Sequence, residues 1–129
     1  VVLITDAMQA AGMPDGLYTL CGEEVTMQNG VVRTGSGGLA GSTLSLDAAV
    51  RNMVVYAGVT AEEAIHMASL HPARLLGVDD QLGSLAPGKR ANIIALDGGL
   101  HLQRIWIQGQ ALPLKPFHCV FFWLYGLKP

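Results

Sequence analysis

Five residues that favour extended backbone, Val1-Val2-Leu3-Ile4-Thr5, run directly into a carboxylate at Asp6 and then Ala7. A buried strand ending on an acid is how parallel α/β barrels present catalytic carboxylates, because their active sites lie on the face where the strands end. An Asp so placed can take a proton from a water and return it to a leaving group, which is general acid–base chemistry. The same residue can equally do no more than turn the chain after a strand. The local pattern alone divides evenly between these two readings.

A second segment with chemical potential is Gly37-Gly38-Leu39-Ala40-Gly41-Ser42-Thr43, within a flexible stretch that begins at Gly35-Ser36. Its small side chains let backbone N–H and C=O groups approach a ligand, and it leads into a helix N-terminus, where anions are favoured. It matches neither the G-x-x-x-x-G-K-[ST] loop nor the G-x-G-x-x-G fingerprint, so nucleotide binding gains no support. On pattern alone a plain flexible connection is favoured over a ligand cradle. His66 and His71 stand five apart across a helix end and do not share a face as an i, i+4 metal pair does. H-x-H, H-E-x-x-H and C-x-x-C are all missing from the chain. Cys21 and Cys119 have no metal-type spacing and are expected to be two unrelated thiols rather than a disulfide.

These residues need elements to hold them. After Asp6 a loop from Met8 to Gly16 ends in the Pro14-Asp15-Gly16 turn. Leu17 to Thr34 reads as β structure, with Asn29-Gly30 suited to a two-residue hairpin turn in which both residues take positive φ. Leu46, Ala49, Val50, Met53 and Val54 form one apolar stripe of a helix that Gly58 stops. Thr60 and Glu63 form a capping box for a second helix, with Val59 and Ala64 spaced as a staple. A third helix is predicted from Pro72 to Gly77. Beyond it, strands are predicted over Ala91–Leu96 and Gln103–Gln108, separated by the Asp97-Gly98-Gly99 turn. The texture changes near residue 78, which divides the chain into residues 1–78, residues 79–110 and an apolar tail at 111–129.

With 129 residues the chain suits one ordinary domain but falls short of a complete (β/α) barrel, which takes about 250. It opens on a strand without an earlier element, so it is expected to begin inside a domain, as the tail of an enzyme. Half of it is apolar and 14% is charged, which predicts a buried core. The formal net charge of −2 gives no basis for nucleic acid or an anionic membrane as partner. The apolar run from Cys119 to Tyr125 is far shorter than the ~20 residues of a membrane helix, and a cytoplasmic location is expected.

Three segments in order carry a resemblance. Leu3-Ile4-Thr5-Asp6-Ala7 with Ala10-Ala11-Gly12, Leu39-Ala40-Gly41-Ser42-Thr43-Leu44, and Met67-Ala68-Ser69-Leu70-His71-Pro72-Ala73 resemble the C-terminal part of the N-acetylglucosamine-6-phosphate deacetylases, most nearly the N-acetylgalactosamine-6-phosphate branch. Leu82-Gly83-Ser84-Leu85-Ala86-Pro87-Gly88-Lys89-Arg90-Ala91-Asn92 resembles the closing signature of the wider amidohydrolase superfamily. The resemblance implies an α/β fold, the C-terminal portion of a (β/α)8 barrel plus strands of a small β-sandwich. It implies a hydrolase that splits the N-acetyl group from an N-acetyl-amino-sugar 6-phosphate, with a divalent metal, zinc, in the complete enzyme. By the same resemblance Asp6 is the residue that activates water, and it also touches a second metal in members that hold two. Leu39, Ala40 and Gly41 supply backbone contacts to the amino sugar, and the complete enzyme is a homo-oligomer.

The family's metal-binding Glu and His residues, and its phosphate-binding residues, lie upstream of Val1, so the fragment alone is expected to be inactive. Asn92 stands where the superfamily usually has Asp, a structural position. Another amidohydrolase, dihydroorotase-like or adenine deaminase-like, is a rival reading that the Leu39-Ala40-Gly41 segment argues against. A non-catalytic remnant or assembly piece is the rival from another class. The tail from Ala111 has no family parallel; it is either an extra edge strand or subunit contact, or an altered gene end, and its abruptness favours the latter.

Overall fold

The computed structural model describes residues 1–114 and is mixed α/β. The described residues fall into two compact units, Asp6–Leu44 and Val1–Thr5 with Ser45–Leu114.

The Asp6–Leu44 unit is built on an antiparallel meander, β1 (Gly16–Leu20), β2 (Glu23–Gln28) and β3 (Val31–Thr34), in that order across the sheet. β2 alternates: Val25 and Met27 point inward, while Glu24, Thr26 and Gln28 face out. Its register sets Met27 opposite Val32 and Val25 opposite Tyr18, so the apolar residues of three strands meet on one face. Met8, Ala10 and Ala40 complete this core, with Tyr18 and Leu20 against it. Asn29 and Gly30 have φ of 52° and 74°, the paired positive angles expected for the hairpin that joins Gln28 to Val31.

In the other unit α1 (Leu46–Ala57) buries Ala49 and Val50 and stops at Gly58, where φ is 68°. α2 (Ala61–Ala68) begins with the expected capping box: Thr60 N–H donates to Glu63 Oε2 at 2.8 Å, and Glu63 N–H donates to Thr60 Oγ1 at 3.2 Å. α3 spans Leu70–Leu75, starting two residues before the predicted Pro72 because Ser69 takes the cap; Pro72 sits in the first turn. The Leu82–Asn92 segment is a loop held by side chains. Lys89 Nζ donates to the Asp79 carbonyl and, at 2.7 Å, to Ser84 Oγ. Asn92 Oδ1 accepts from Gln108 N–H at 2.9 Å, a backbone bond that an Asp carboxylate there can also accept.

A second meander follows, β4 (Ile93–Leu96), β5 (Leu102–Ile107) and β6 (Gln110–Leu112). β6 goes beyond the strands read from the sequence. Its signal was the Gln108-Gly109 pair, at φ of 50° and 79°, which turns the chain back onto β5. Residues 111–114 of the apolar tail therefore include the end of a strand, and its remainder, with Cys119 and the Phe117–Tyr125 run, lies outside the described residues.

Val1–Thr5 corrects one expectation. The segment joins no ladder; Leu3 N–H donates to the Met67 carbonyl at 2.9 Å, and Val1 and Ile4 are exposed. A strand is buried by its neighbours on either side, and the described residues supply none here.

The capping box yields a prediction. The Thr60 N–H, and then its hydroxyl, hold the Glu63 carboxyl below its ordinary value of 4.5. Folding thus lowers this pKa, so in acid the unfolded chain binds more protons; the box stabilises above about pH 4.5 and its contribution is lost as pH falls through the lowered folded value. Thr60→Ala should destabilise the chain by about 1 kcal/mol in urea unfolding at pH 7 and flatten its loss of stability between pH 5 and 3.

Candidate active site

Asp6 and the Leu39–Gly41 segment belong to the same unit, and backbone pairing brings them together. Ala7 and Ser42 form a parallel bridge, and Met8 N–H donates to the Ser42 carbonyl at 2.9 Å. Asp6 and Gly41, the residues just before the bridged pair, lie on the same side of it. Asp6 is exposed and has φ of 49°, a left-handed backbone that Asp tolerates better than most side chains. Its carboxylate therefore leaves the chain at a turn and not from a continuing strand.

The Leu39–Gly41 segment is held on its other side by β3. Thr34 N–H donates to the Gly38 carbonyl and Ala40 N–H to the Val32 carbonyl, each at 2.9 Å, which makes residues 38–40 a short extension of the sheet. Pairing sets the side chains. Leu39 is 73% exposed and Ala40 is 6% exposed, pointing into the core beside Met8, Val25 and Val32. Ala40 N–H is therefore committed to the protein. The peptide joining Ala40 to Gly41 makes no hydrogen bond among the described residues.

Two further anchors steady this wall. Thr43 Oγ1 donates to the Gly30 carbonyl at the hairpin tip, and Asn29 N–H donates to Asp15 Oδ2 at 2.8 Å. The sequence pattern places Thr43, Asp15 and Met8 in a flexible segment, a turn and a loop, without these anchoring roles. The signal for Met8 was the two-residue spacing of Met8 and Ala10, which alternate inward in a segment that otherwise looks like loop.

The histidines do not join Asp6. His66 and His71 stand with ring centroids 6.2 Å apart in the other unit, where His71 Nδ1–H donates to the Val1 carbonyl at 2.9 Å. His101 donates its backbone N–H to Asp97 Oδ1 at 2.9 Å within the β4–β5 turn. No group of three or more His, Cys, Asp and Glu side chains able to hold a metal ion occurs among the described residues. Asp6 belongs to no such group, so the described residues do not by themselves fit a metal centre. No helix among them is long and apolar enough to cross a membrane.

A sequence model of the amidohydrolase family matches residues 2–119. The chain belongs to that family. It is 80% identical over 110 residues to N-acetylgalactosamine-6-phosphate deacetylase of Escherichia coli O157:H7, covering 85% of this chain and 29% of that protein. A shorter relative from Escherichia coli K12 is also 80% identical over 110 residues and is spanned to 66% of its length. Among solved structures the chain is similar to N-acetylglucosamine-6-phosphate deacetylase of Pasteurella multocida, with TM-score 0.81, 29% identity, and coverage of 86% of this chain and 29% of that one. It is also similar to the Mycobacterium smegmatis deacetylase in complex with N-acetyl-D-glucosamine-6-phosphate, with TM-score 0.74 and 33% identity, covering 85% of this chain and 30% of that one. The α/β fold expected from the sequence is thus a part of the deacetylase fold. The chain spans less than a third of the O157:H7 relative and of both solved structures.

The anchoring of the wall is testable. Thr43→Val keeps the side-chain shape and removes the bond to Gly30, leaving that carbonyl without its hydroxyl partner. Urea unfolding should show a loss of about 1 kcal/mol, the usual net worth of such a bond.

Proposed function

We propose that this chain is the part of an N-acetyl-amino-sugar-6-phosphate deacetylase that supplies its proton-transfer carboxylate and one wall of its sugar site. The observation that carries the proposal is the Ala7–Ser42 bridge, which brings Asp6 beside the open Ala40–Gly41 peptide in a chain 80% identical to a named deacetylase. In the reaction the Asp6 carboxylate takes a proton from the attacking water as its oxygen bonds to the amide carbon. When the C–N bond breaks, Asp6 returns that proton to the departing nitrogen, leaving acetate and the amino-sugar phosphate. The open peptide offers one donor and one acceptor, enough to orient a sugar hydroxyl or the acetyl group.

The galactosamine epimer is the proposed substrate, supported by 80% identity to the galactosamine-6-phosphate enzyme against 49% to the glucosamine-6-phosphate enzyme of Vibrio furnissii. A metal is part of the proposal, since amidohydrolases of this kind use one to polarise the amide carbonyl and acidify water. Its donors lie outside the described residues, apart from Asp6 itself as a second-metal ligand. Residues 1–78 belong to the barrel and 79–110 to a small β-sandwich on this reading. A homo-oligomer in the cytoplasm completes it, the latter because a sugar phosphate carries about two negative charges and stays on the side of a membrane where it is made.

The experiment uses the Escherichia coli O157:H7 deacetylase with its matched 110 residues replaced by those of this chain. The hybrid should deacetylate N-acetylgalactosamine 6-phosphate faster than the glucosamine epimer. Asp6→Asn in that hybrid should keep the melting temperature and lower kcat by at least ~10²-fold. The 129-residue chain alone should release no acetate, with or without added zinc. Unchanged turnover in Asp6→Asn would remove Asp6 from the mechanism.

A further inference from the structure

Gly41 is under a constraint that room for a sugar does not explain. Its φ is 109°, and a Cβ built on it would lie 3.2 Å from both Cβ and Cγ of Met8. The Cγ atom ends no rigid group and can swing aside. The Cβ atom cannot, because it moves only with the Met8 backbone. That backbone is tied down: its N–H donates to the Ser42 carbonyl at 2.9 Å, and its side chain is 8% exposed among Ala10, Val25, Met27, Val32 and Ala40. Asp6 lies two residues before Met8, so any shift of Met8 reaches the carboxylate through Ala7 alone.

We infer that Met8 and Gly41 are positioning residues for Asp6. The missing side chain at 41 lets two backbones close to the spacing at which Asp6 stands beside the Leu39–Gly41 wall, and the buried Met8 side chain holds that spacing from the core. The inference rests on the proposed role of Asp6 in proton transfer. It separates two purposes for one glycine. A glycine kept for substrate approach affects binding, so a larger residue raises KM whatever stands at position 8. A glycine kept for the approach of Met8 affects the location of the proton-transfer group, so a larger residue lowers kcat and leaves KM. Interior packing transmits such shifts because it is close to crystal density and has little slack.

The test is kinetic, in the same full-length hybrid. Gly41→Ala should lower kcat by about tenfold, in keeping with the steep loss of rate when reacting groups are displaced by fractions of an ångström, with KM within about threefold of the parent. Met8→Ile crowds the same contact from the opposite side at nearly constant volume, so it should fold and show the same pattern, lower kcat at unchanged KM. In the double variant the combined loss in kcat should depart from the product of the two single losses, since both substitutions crowd one shared contact. Substrate affinity measured by calorimetry in the Asp6→Asn background should be unaffected by Gly41→Ala. A KM more than about tenfold higher in Gly41→Ala, at any kcat, overturns the inference in favour of substrate approach. An unchanged kcat in Met8→Ile also overturns it, including the case in which Gly41→Ala does not fold. Retained turnover in Asp6→Asn marks failure of the underlying functional reading instead, and is read from a different variant.

Discussion

The arrangement of Asp6 against the Leu39–Gly41 segment depends on closing the chain between Ala7 and Ser42. The closing bond, Met8 N–H to the Ser42 carbonyl at 2.9 Å, has a net worth of about 1 kcal/mol. Bringing together the ends of a flexible segment of that length costs about 3 kcal/mol by loop-closure scaling. The bond cannot hold the loop by itself. Burial can: Met8, Val25, Met27 and Val32 are each nearly excluded from water, and each such side chain contributes about 1.5–3 kcal/mol. The meander is therefore not an ornament between two site segments. Its core supplies the free energy that keeps them adjacent.

This accounts for where polar and apolar groups lie in the Asp6–Leu44 unit. Along Leu39–Gly41 every second residue faces the core, so Ala40 commits its side chain and N–H to the protein while Leu39 is exposed and the next peptide has no partner among the described residues. Exposed and buried side chains alternate with the two-residue period of extended chain. The other unit uses a different economy. Its helices are short, with Ala49, Ala64 and Ala73 as small buried contacts, and its loops are pinned by Lys89 and Asn92 to backbone groups. Small residues at helix contacts permit close approach, and side-chain anchors replace the strand pairing that irregular segments lack.

Much of the chain was legible from local chemistry. The Thr60–Glu63 capping box, the stop at Gly58, the Asn29-Gly30 hairpin and the Asp97 turn each depend on residues within a few positions of one another, and each is present where the pattern indicated. Three features were not legible in this way. β6 has only the Gln108-Gly109 pair to announce it, α3 starts at Leu70 behind a Ser69 cap and so two residues before Pro72, and Val1–Thr5 has strand-forming residues but no pairing partner among the described residues. Strand propensity describes suitability for a sheet; the sheet itself is made of neighbours.

For the site, the residue types alone left Asp6 balanced between an acid and a turn after an extended segment, and favoured a plain connection for the glycine-rich stretch; the family resemblance singled out Leu39, Ala40 and Gly41. The residue types determined the chemistry on offer, because a carboxylate, a glycine or an amide has the same repertoire wherever it stands. Tertiary structure alone decided that these segments are adjacent, that Ala40 is turned inward, that the Ala40–Gly41 peptide makes no hydrogen bond among the described residues, and that Met8 presses against Gly41. The reason is physical. Those relations join residues far apart in the chain and arise from the packing of β1, β2 and β3 around one core, which local sequence patterns do not encode.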